Sequence, residues 1–153
     1  MNEKEERVLV IPRHILETQG LFQGLTFDIE RYLPVLRDNR NYRFIPRSAA
    51  ENDPSLKQLI PYFIICHQDG IWTYTRGKKS GETRLVARIS IGIGGHINNL
   101  DEDLFEETYD RAATRELEEE VAVPPGYAQK IVALLNDDAT PVGSVHLGVV
   151  HVL

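Results

Sequence analysis

Three glutamates stand close together near the end of an acidic stretch: Glu116, Glu119 and Glu120. On an α-helix each residue advances by about 100°, so these side chains fall on one stripe of the surface. Carboxylates held this close repel one another and take up protons unless a cation or basic side chains stabilise the charged forms. Hard divalent cations such as Mg²⁺ or Mn²⁺ bind carboxylate oxygens and bridge them to substrate phosphates. The spacing therefore predicts a metal site that faces a pyrophosphate.

Acidic residues are concentrated around these glutamates. Residues 101–120 contain ten acidic residues against Arg111 and Arg115, a net charge of −8, whereas the whole chain carries −6. The rest of the chain is therefore slightly basic, and the acidity belongs to one segment. A solvated charged helix is the commoner origin of such a run, and composition alone leaves that alternative open.

A helix is predicted from 104 to 121. Asp103, with Glu106 three residues later, forms an N-terminal capping pattern, and the run Pro124-Pro125-Gly126 ends the helix. The first of its two inward stripes consists of Phe105, Tyr109, Ala112, Glu116, Glu119 and Glu120, and the second of Ala113, Leu117 and Val121. The apolar residues require a core, so the three glutamates are expected beside that core. Arg115 is expected to pair with Glu118 or Glu119.

Other segments alternate between strand-like and turn-like composition. Strands are predicted at 7–11, 42–45, 85–93, 130–135 and 143–153, with a short helix at 28–36 that breaks near Pro34. Residues 60–67 and 71–75 are rich in aromatic and β-branched residues around the turn Gln68-Asp69-Gly70, which predicts a β-hairpin. The segment 76–84 is predicted to be a basic loop, either solvated or placed to attract phosphate.

The last strand is apolar on both alternating faces, which is typical of a strand in the middle of a covered sheet. The chain ends at Leu153, inside that strand. Either the N-terminal segment covers the strand, or the chain is C-terminally truncated.

The chain has 153 residues, 42% of them hydrophobic, which is enough for one core. The polar segment 48–54 divides it into an N-terminal extension at 1–55, which could dimerise or contact substrate, and a main domain at 56–153. Neither a secretory signal nor a membrane-spanning stretch is present in the sequence. With Cys66 as the only cysteine, a cytoplasmic location is expected. We find no helix-turn-helix segment or basic face and expect no nucleic-acid partner.

The acidic helix resembles a known motif. Glu107, seven intervening residues and Arg-Glu-Leu-Glu-Glu-Glu-Val-Ala-Val at 115–123 are similar to the second half of the Nudix signature, with Ala122 in place of its glycine. Gly94 and Gly95 match the signature's start, although eleven residues instead of five separate Gly95 from Glu107. The loop before the helix therefore contains a six-residue insertion relative to the signature.

This resemblance implies an α/β fold, an α/β/α sandwich on a mixed sheet. It also implies a Mg²⁺- or Mn²⁺-dependent hydrolase in which metal-activated water attacks a nucleoside diphosphate linked to another group. The metal ligands would be Glu116, Glu119 and Glu120, with Glu107 as an accessory ligand. Gly94 or Gly95 would contribute a backbone carbonyl or a close approach to the metal. Arg115 would be an orienting partner. On a regular helix Glu107 projects away from Glu116, so Glu102 or Asp101 could replace it.

Two other functions share this fold. One is a nucleotide-sensing or interaction module without turnover. The other resembles isopentenyl diphosphate isomerases, which use a cysteine, although we expect Cys66 to be a buried small hydrophobe. Single histidines on strands usually serve packing, although His96, His146 and His151 could each bind a metal. Aromatic residues on a strand usually fill a core, although Tyr62, Trp72 and Tyr74 could stack on a base.

Overall fold

The computed structural model describes residues 5–77, 87–98 and 109–153. Its helices are α1 (Arg13–Gln19), α2 (Ile29–Leu36), α3 (Arg47–Ala50), α4 (Tyr109–Glu120) and α5 (Pro141–Ser144), with a 3₁₀ turn at Asn39–Asn41. Its strands are β1 (Arg7–Pro12), β2 (Gly24–Thr26), β3 (Arg43–Pro46), β4 (Leu56–Ile64), β5 (Cys66–His67), β6 (Gly70–Ile71), β7 (Tyr74–Thr75), β8 (Ile89–Ser90), β9 (Ile93–Gly94), β10 (Lys130–Asn136) and β11 (His146–Val152). No helix within these residues is long and apolar enough to span a membrane.

The central sheet is mixed, as predicted. Its strand order is β2-β10-β11-β4-β1-β3, and β9 also pairs with β4. β11 runs parallel to β4, from the His146–Gln58 pair to the Val152–Ile64 pair, whereas the other pairs in this sheet are antiparallel. β11 therefore lies between two neighbours, which confirms the prediction that this doubly apolar strand is central.

Helices cover both faces of the sheet. Apolar side chains of α1, α2 and α4 pack with those of β1, β4, β10 and β11 in one large core cluster. On the opposite face, Ala50 of α3 packs against Val8 and Val10 of β1 in a smaller cluster. Burial of these side chains is the main contribution to stability, because removing apolar surface from water stabilises the fold by roughly 25 cal/mol per Å².

The N-terminal segment contributes β1, β2 and β3 to the same sheet as β4, β10 and β11. The division of the chain at residue 55, and a role of 1–55 in dimerisation, stay predictions.

The expected break of the second helix at Pro34 does not occur, because α2 runs through Pro34 to Leu36. Burial of Tyr32, Leu33 and Leu36 compensates for the hydrogen bond that proline cannot donate.

The predicted hairpin is only partly correct. β5 and β6 do pair around the turn at 68–69, where Gln68 has a φ of 52°. The residues on either side pair elsewhere: β4 lies within the central sheet, and β7 pairs with β8. Long-range pairing outweighs the local turn signal here, because β4 buries side chains on both of its faces. The predicted strand at 85–93 is two short strands, β8 and β9, within the described residues.

Candidate active site

Helix α4 presents a carboxylate to the interior of the protein. Tyr109, Ala113 and Leu117 have no exposed surface, and the carboxylate-bearing Glu116 is only 5% exposed. The predicted inward stripes are therefore confirmed from Tyr109 to Leu117, whereas residues 104–108 lie outside the described residues. Glu119 and Glu120, in the last turn, are exposed. Of the three glutamates, only Glu116 is buried.

Gly95 lies directly against the carboxylate of Glu116. A Cβ atom added to Gly95 would stand 2.0 Å from Oε1 and 3.0 Å from Cδ of Glu116. Gly95 directly follows β9, whose Gly94 pairs with Tyr62 of β4. The end of a sheet strand and the side chain of α4 therefore meet at a position that any side chain at 95 would fill.

Negative charge accumulates at Glu116. Burial, followed by the charges of Glu119 and Glu120, raises the pKa of Glu116 to about 7, and Glu6 acts in the same direction. The positive charge of Arg115 only partly offsets this shift. Because burial and, after it, the neighbouring carboxylates disfavour the ionised form, Glu116 is only partly charged at neutral pH.

Arg115 connects α4 to the segment after Gly95. Its Nη1 donates a hydrogen bond of 3.0 Å to Oε1 of Glu119, and its Nη2 donates one of 3.2 Å to the carbonyl oxygen of Asn98. Asn98 in turn forms a β-bridge with Val8. Arg115 thus holds Glu119 and fixes the helix against the edge of β1, which agrees with the predicted pairing.

A cavity of about 850 Å³ opens beside Gly95. One part of its wall is formed by apolar side chains of β4, β10 and the α5 region. Another part is formed by charged side chains at positions 47, 51, 76 and 137. Its lining includes Ile60, Tyr62, Leu135, Val142 and Val145, together with Arg47, Glu51, Arg76 and Asp137. This volume lies within the range of small-molecule sites, and the mixed lining suits a ligand with apolar and polar parts.

Two histidines also line this cavity. Nε2 of His96 lies 3.3 Å from Nε2 of His146, and Nδ1 of His146 lies 2.6 Å from the carbonyl oxygen of Val142. Burial lowers the pKa of His96 to about 4, with a further contribution from the charge of Arg47. Burial likewise lowers the pKa of His146. Both rings are therefore neutral at physiological pH.

Comparisons with known proteins identify the fold. No family model matches the chain. Protein YmaB of Bacillus subtilis (strain 168) is 36% identical to it, over the whole of this chain and 77% of YmaB. The crystal structure of Tm1382, a protein provisionally assigned as a Nudix hydrolase, is similar with a TM-score of 0.76 and 30% identity, over 96% of this chain and 75% of Tm1382. The chain belongs to the Nudix family. The Nudix-type α/β fold predicted from the acidic helix is thereby confirmed.

The Nudix fold implies a divalent metal ion, and the donors at α4 suit one. Within residues 5–77, 87–98 and 109–153, no group of three or more His, Cys, Asp or Glu side chains is gathered closely enough to hold an ion. Glu107 lies outside the described residues. Gly95 nevertheless leaves space against the Glu116 carboxylate that a side chain would fill, and burial together with the charges of Glu119 and Glu120 raises the pKa of Glu116. Hard cations prefer such oxygen donors.

A partly buried ionic cluster lies next to Gly143, which lines the cavity of this Nudix protein. Arg13 donates hydrogen bonds of 2.7 and 2.8 Å to Asp138, and the fully buried Lys57 donates one of 2.7 Å to the same carboxylate. Lys57 also donates to the carbonyl oxygen of Gly143, at 2.9 Å. Burial alone raises the pKa of Asp138, but hydrogen bonds from Arg13 and Lys57 hold it well below its usual range.

Sequence reasoning did not identify this cluster, because its members come from three distant segments. The only local signal is a lysine in the strongly apolar pattern of β4. Cys66 is a further correction: it is exposed, not buried, because β5 belongs to a small two-stranded sheet outside the central one.

Proposed function

We propose that this Nudix protein is a Mg²⁺- or Mn²⁺-dependent pyrophosphohydrolase that acts on a nucleoside diphosphate linked to another moiety. The observation that carries the proposal is the contact between Gly95 and the buried Glu116 at the edge of the 850 Å³ cavity. Gly95 lines this cavity and also contacts the Glu116 carboxylate, which supports a substrate site close to α4. Glu116, Glu119 and Glu120 are the proposed metal ligands, with Glu107 as an accessory ligand.

Each described residue of the site has a separate role in this proposal. Glu116 is held rigidly by burial and by Gly95, so its carboxylate has a defined position for a cation. Glu120 is exposed and can turn toward the same ion, whereas Glu119 is oriented by its hydrogen bond from Arg115. When bound, Mg²⁺ or Mn²⁺ supplies Lewis-acid activation of the phosphoryl group and of the attacking water.

The cavity provides the binding surface for the rest of the substrate. Ile60, Tyr62 and Val142 offer apolar surface for a planar group, and Arg76 is positioned to meet a phosphate or another anion. Arg47 contributes less free charge, since it forms ion pairs of 2.9 Å with both Glu6 and Glu51. Binding to both ends of the substrate would fix the anhydride bond beside α4.

The test is hydrolysis by the purified full chain. With Mg²⁺, and separately with Mn²⁺, the protein is incubated with nucleotide sugars, dinucleotides and nucleoside triphosphates, and mononucleotide release is measured. At least one substrate should be cleaved, and Glu116→Gln and Glu120→Gln should each abolish turnover. Glu118→Gln is the matched control, because Glu118 is an exposed glutamate of the same helix with no proposed role. Tight binding without cleavage across the panel would favour a nucleotide-sensing module instead.

An isomerase that uses a cysteine is a less suitable assignment. Cys66 lies on β5, and it is not among the described residues that line the cavity beside Gly95. Cys66→Ser should therefore leave hydrolysis unchanged. The cytoplasmic location and the homodimer expected from the sequence stay predictions.

A further inference from the structure

The histidine pair in the cavity has the geometry of a metal chelate. His96 follows Gly95 after β9, and His146 begins β11, so the two imidazoles come from segments 50 residues apart in sequence. Their Nε2 atoms lie 3.3 Å apart. Two nitrogen ligands bound at about 2.0–2.1 Å to a tetrahedral Zn²⁺ ion stand about 3.3 Å from each other. The observed separation therefore matches the spacing that a shared zinc ion requires.

The backbone fixes the tautomer that metal binding needs. Nδ1 of His146 lies 2.6 Å from the carbonyl oxygen of Val142, so Nδ1 carries the proton and its N–H donates a hydrogen bond to that oxygen. The lone pair of His146 is then on Nε2, the atom that faces His96. In metal-binding histidines the second ring N–H commonly donates a hydrogen bond to a backbone carbonyl in this way, which orients the ring and increases its basicity.

A buried, unpartnered amide lies beside the pair. Gln58 pairs with His146 in the parallel register of β4 and β11, so their side chains are neighbours on one face of the sheet. That face also presents Ile60 and Tyr62, which line the cavity. Gln58 has no exposed surface, and among the described residues neither its Oε1 nor its Nε2 has a hydrogen-bond partner. A polar group of this kind calls for a further polar ligand at the same place.

We propose that His96 and His146 form an open binding site for a borderline transition-metal ion, with Zn²⁺ as the best match. No third His, Cys, Asp or Glu of the described residues joins them, so water, the amide of Gln58 or a ligand in the cavity completes the coordination. The site differs in chemistry from the carboxylates of α4: imidazole nitrogens select zinc, nickel or copper, whereas carboxylates select magnesium. The proposal is independent of the proposed hydrolysis.

A direct hydrogen bond between the rings is the competing explanation. In that case Nε2–H of His96 donates to Nε2 of His146, and the same 3.3 Å separation results. Zinc binding requires only that His96 carries its proton on Nδ1 instead, a change of tautomer without net proton release. The two explanations therefore differ in whether the protein binds Zn²⁺ at these residues.

Zinc titration of the full chain decides between them. The background is Cys66→Ser, because the exposed Cys66 next to His67 offers an adventitious zinc site. After treatment with a chelator, Zn²⁺ binding is measured by calorimetry, with Mg²⁺ as a reference. We expect one equivalent of Zn²⁺ to bind at the histidine pair, apart from any ion held by the α4 carboxylates. His96→Ala and His146→Ala should each weaken the affinity of that equivalent by at least about tenfold, since even the loss of a residue behind a ligand commonly costs that much.

The controls separate this site from other sources of binding. His14→Ala removes an exposed histidine on α1 and should leave the affinity unchanged, as should Glu120→Gln, which alters only the carboxylate site. Equal affinity in the wild type and both histidine variants, or no binding to the wild type, would overturn the proposal.

X-ray absorption of the Zn²⁺-loaded Cys66→Ser protein gives a readout that does not depend on whether the alanine variants fold. Scattering from two imidazoles is expected, and one or none would contradict the assignment.

Discussion

A methyl group placed on Gly95 would stand 2.0 Å from Oε1 of Glu116, closer than two non-bonded heavy atoms can approach. Gly95→Ala should therefore push the carboxylate or the helix away. Displacement of a catalytic group by about 1 Å can lower the rate about 100-fold, and overpacking costs about 1–3 kcal/mol of stability. Steady-state hydrolysis and urea denaturation measure the two effects. Gly77→Ala is the control, because a Cβ there meets nothing within 4 Å. Equal activity of both variants would show that Gly95 is not part of the site.

Glu116→Gln should stabilise the metal-free protein at pH 8 while abolishing hydrolysis. The folded-state pKa of Glu116 is about 7, above its ordinary value of 4.5, so its ionisation costs stability as the pH rises through this window. Removing the charge should raise the free energy of unfolding at pH 8 by about 1–3 kcal/mol, because a shift of one pKa unit corresponds to about 1.4 kcal/mol. Urea denaturation in the presence of a chelator measures this gain.

Added Mg²⁺ should reverse that order. An ion bound at Glu116 stabilises only the wild type, so its melting temperature should rise with Mg²⁺ while that of Glu116→Gln stays constant. Glu118→Gln should respond to Mg²⁺ like the wild type. A variant of Glu116 that gains as much from Mg²⁺ as the wild type would place the ion elsewhere.

Local periodicity accounts for what the sequence could predict of this site. The 3.6-residue repeat places Tyr109, Ala113 and Leu117 on the inward side of α4, and Glu116 is buried beside them as expected. The same projection was wrong for Glu119 and Glu120, which were expected beside the core and are exposed. A helical period gives the direction of a side chain but not which elements cover it. The doubly apolar pattern of β11 was sufficient to predict its central position.

Contacts between distant segments could not be read from these patterns. The His96–His146 pair depends on the parallel pairing of β11 with β4 and on the antiparallel pairing of β9 with β4. Sequence patterns show that such strands are buried but not which strands are neighbours. The hairpin prediction failed for this reason: the turn at 68–69 was correct, whereas β4 pairs with β1 and β11, which lie far away in the sequence, and β7 pairs with the next strand, β8.

Stability should rise with pH between about 4 and 6.5 through His151. Burial lowers the folded-state pKa of His151 to about 4 from 6.5. His151 is 1% exposed, and its ring is hydrogen-bonded to Tyr109 at 2.8 Å and to Gln129 at 2.9 Å. In this window the unfolded chain binds a proton that the folded protein excludes, so acidification favours unfolding. Since a shift of one pKa unit corresponds to about 1.4 kcal/mol, the full effect on the free energy of unfolding is about 3 kcal/mol.

His151→Gln keeps a polar, neutral side chain and should remove this part of the pH dependence. The quantity to compare is the difference in the free energy of unfolding between the variant and the wild type across this pH window. The raised pKa of Glu116 acts in the opposite direction in both proteins, so its contribution cancels in the difference. His14→Gln, at an exposed position of α1, is the control. Parallel curves of stability against pH for wild type and His151→Gln would contradict the prediction.

Asp138→Asn should strongly destabilise the protein and disturb the cavity. It leaves the fully buried Lys57 without its ion pair, and loss of one partner of a buried pair costs about 3–5 kcal/mol. Lys57→Met, which removes the buried charge, should cost less. A methionine side chain has no charge that requires a partner. The double variant Lys57→Met/Asp138→Asn should therefore lose less unfolding free energy than the two single variants lose together. Glu17→Gln is the control, since it removes only the exposed partner of Arg13. Additive losses in urea denaturation would show that Lys57 and Asp138 do not act as a pair.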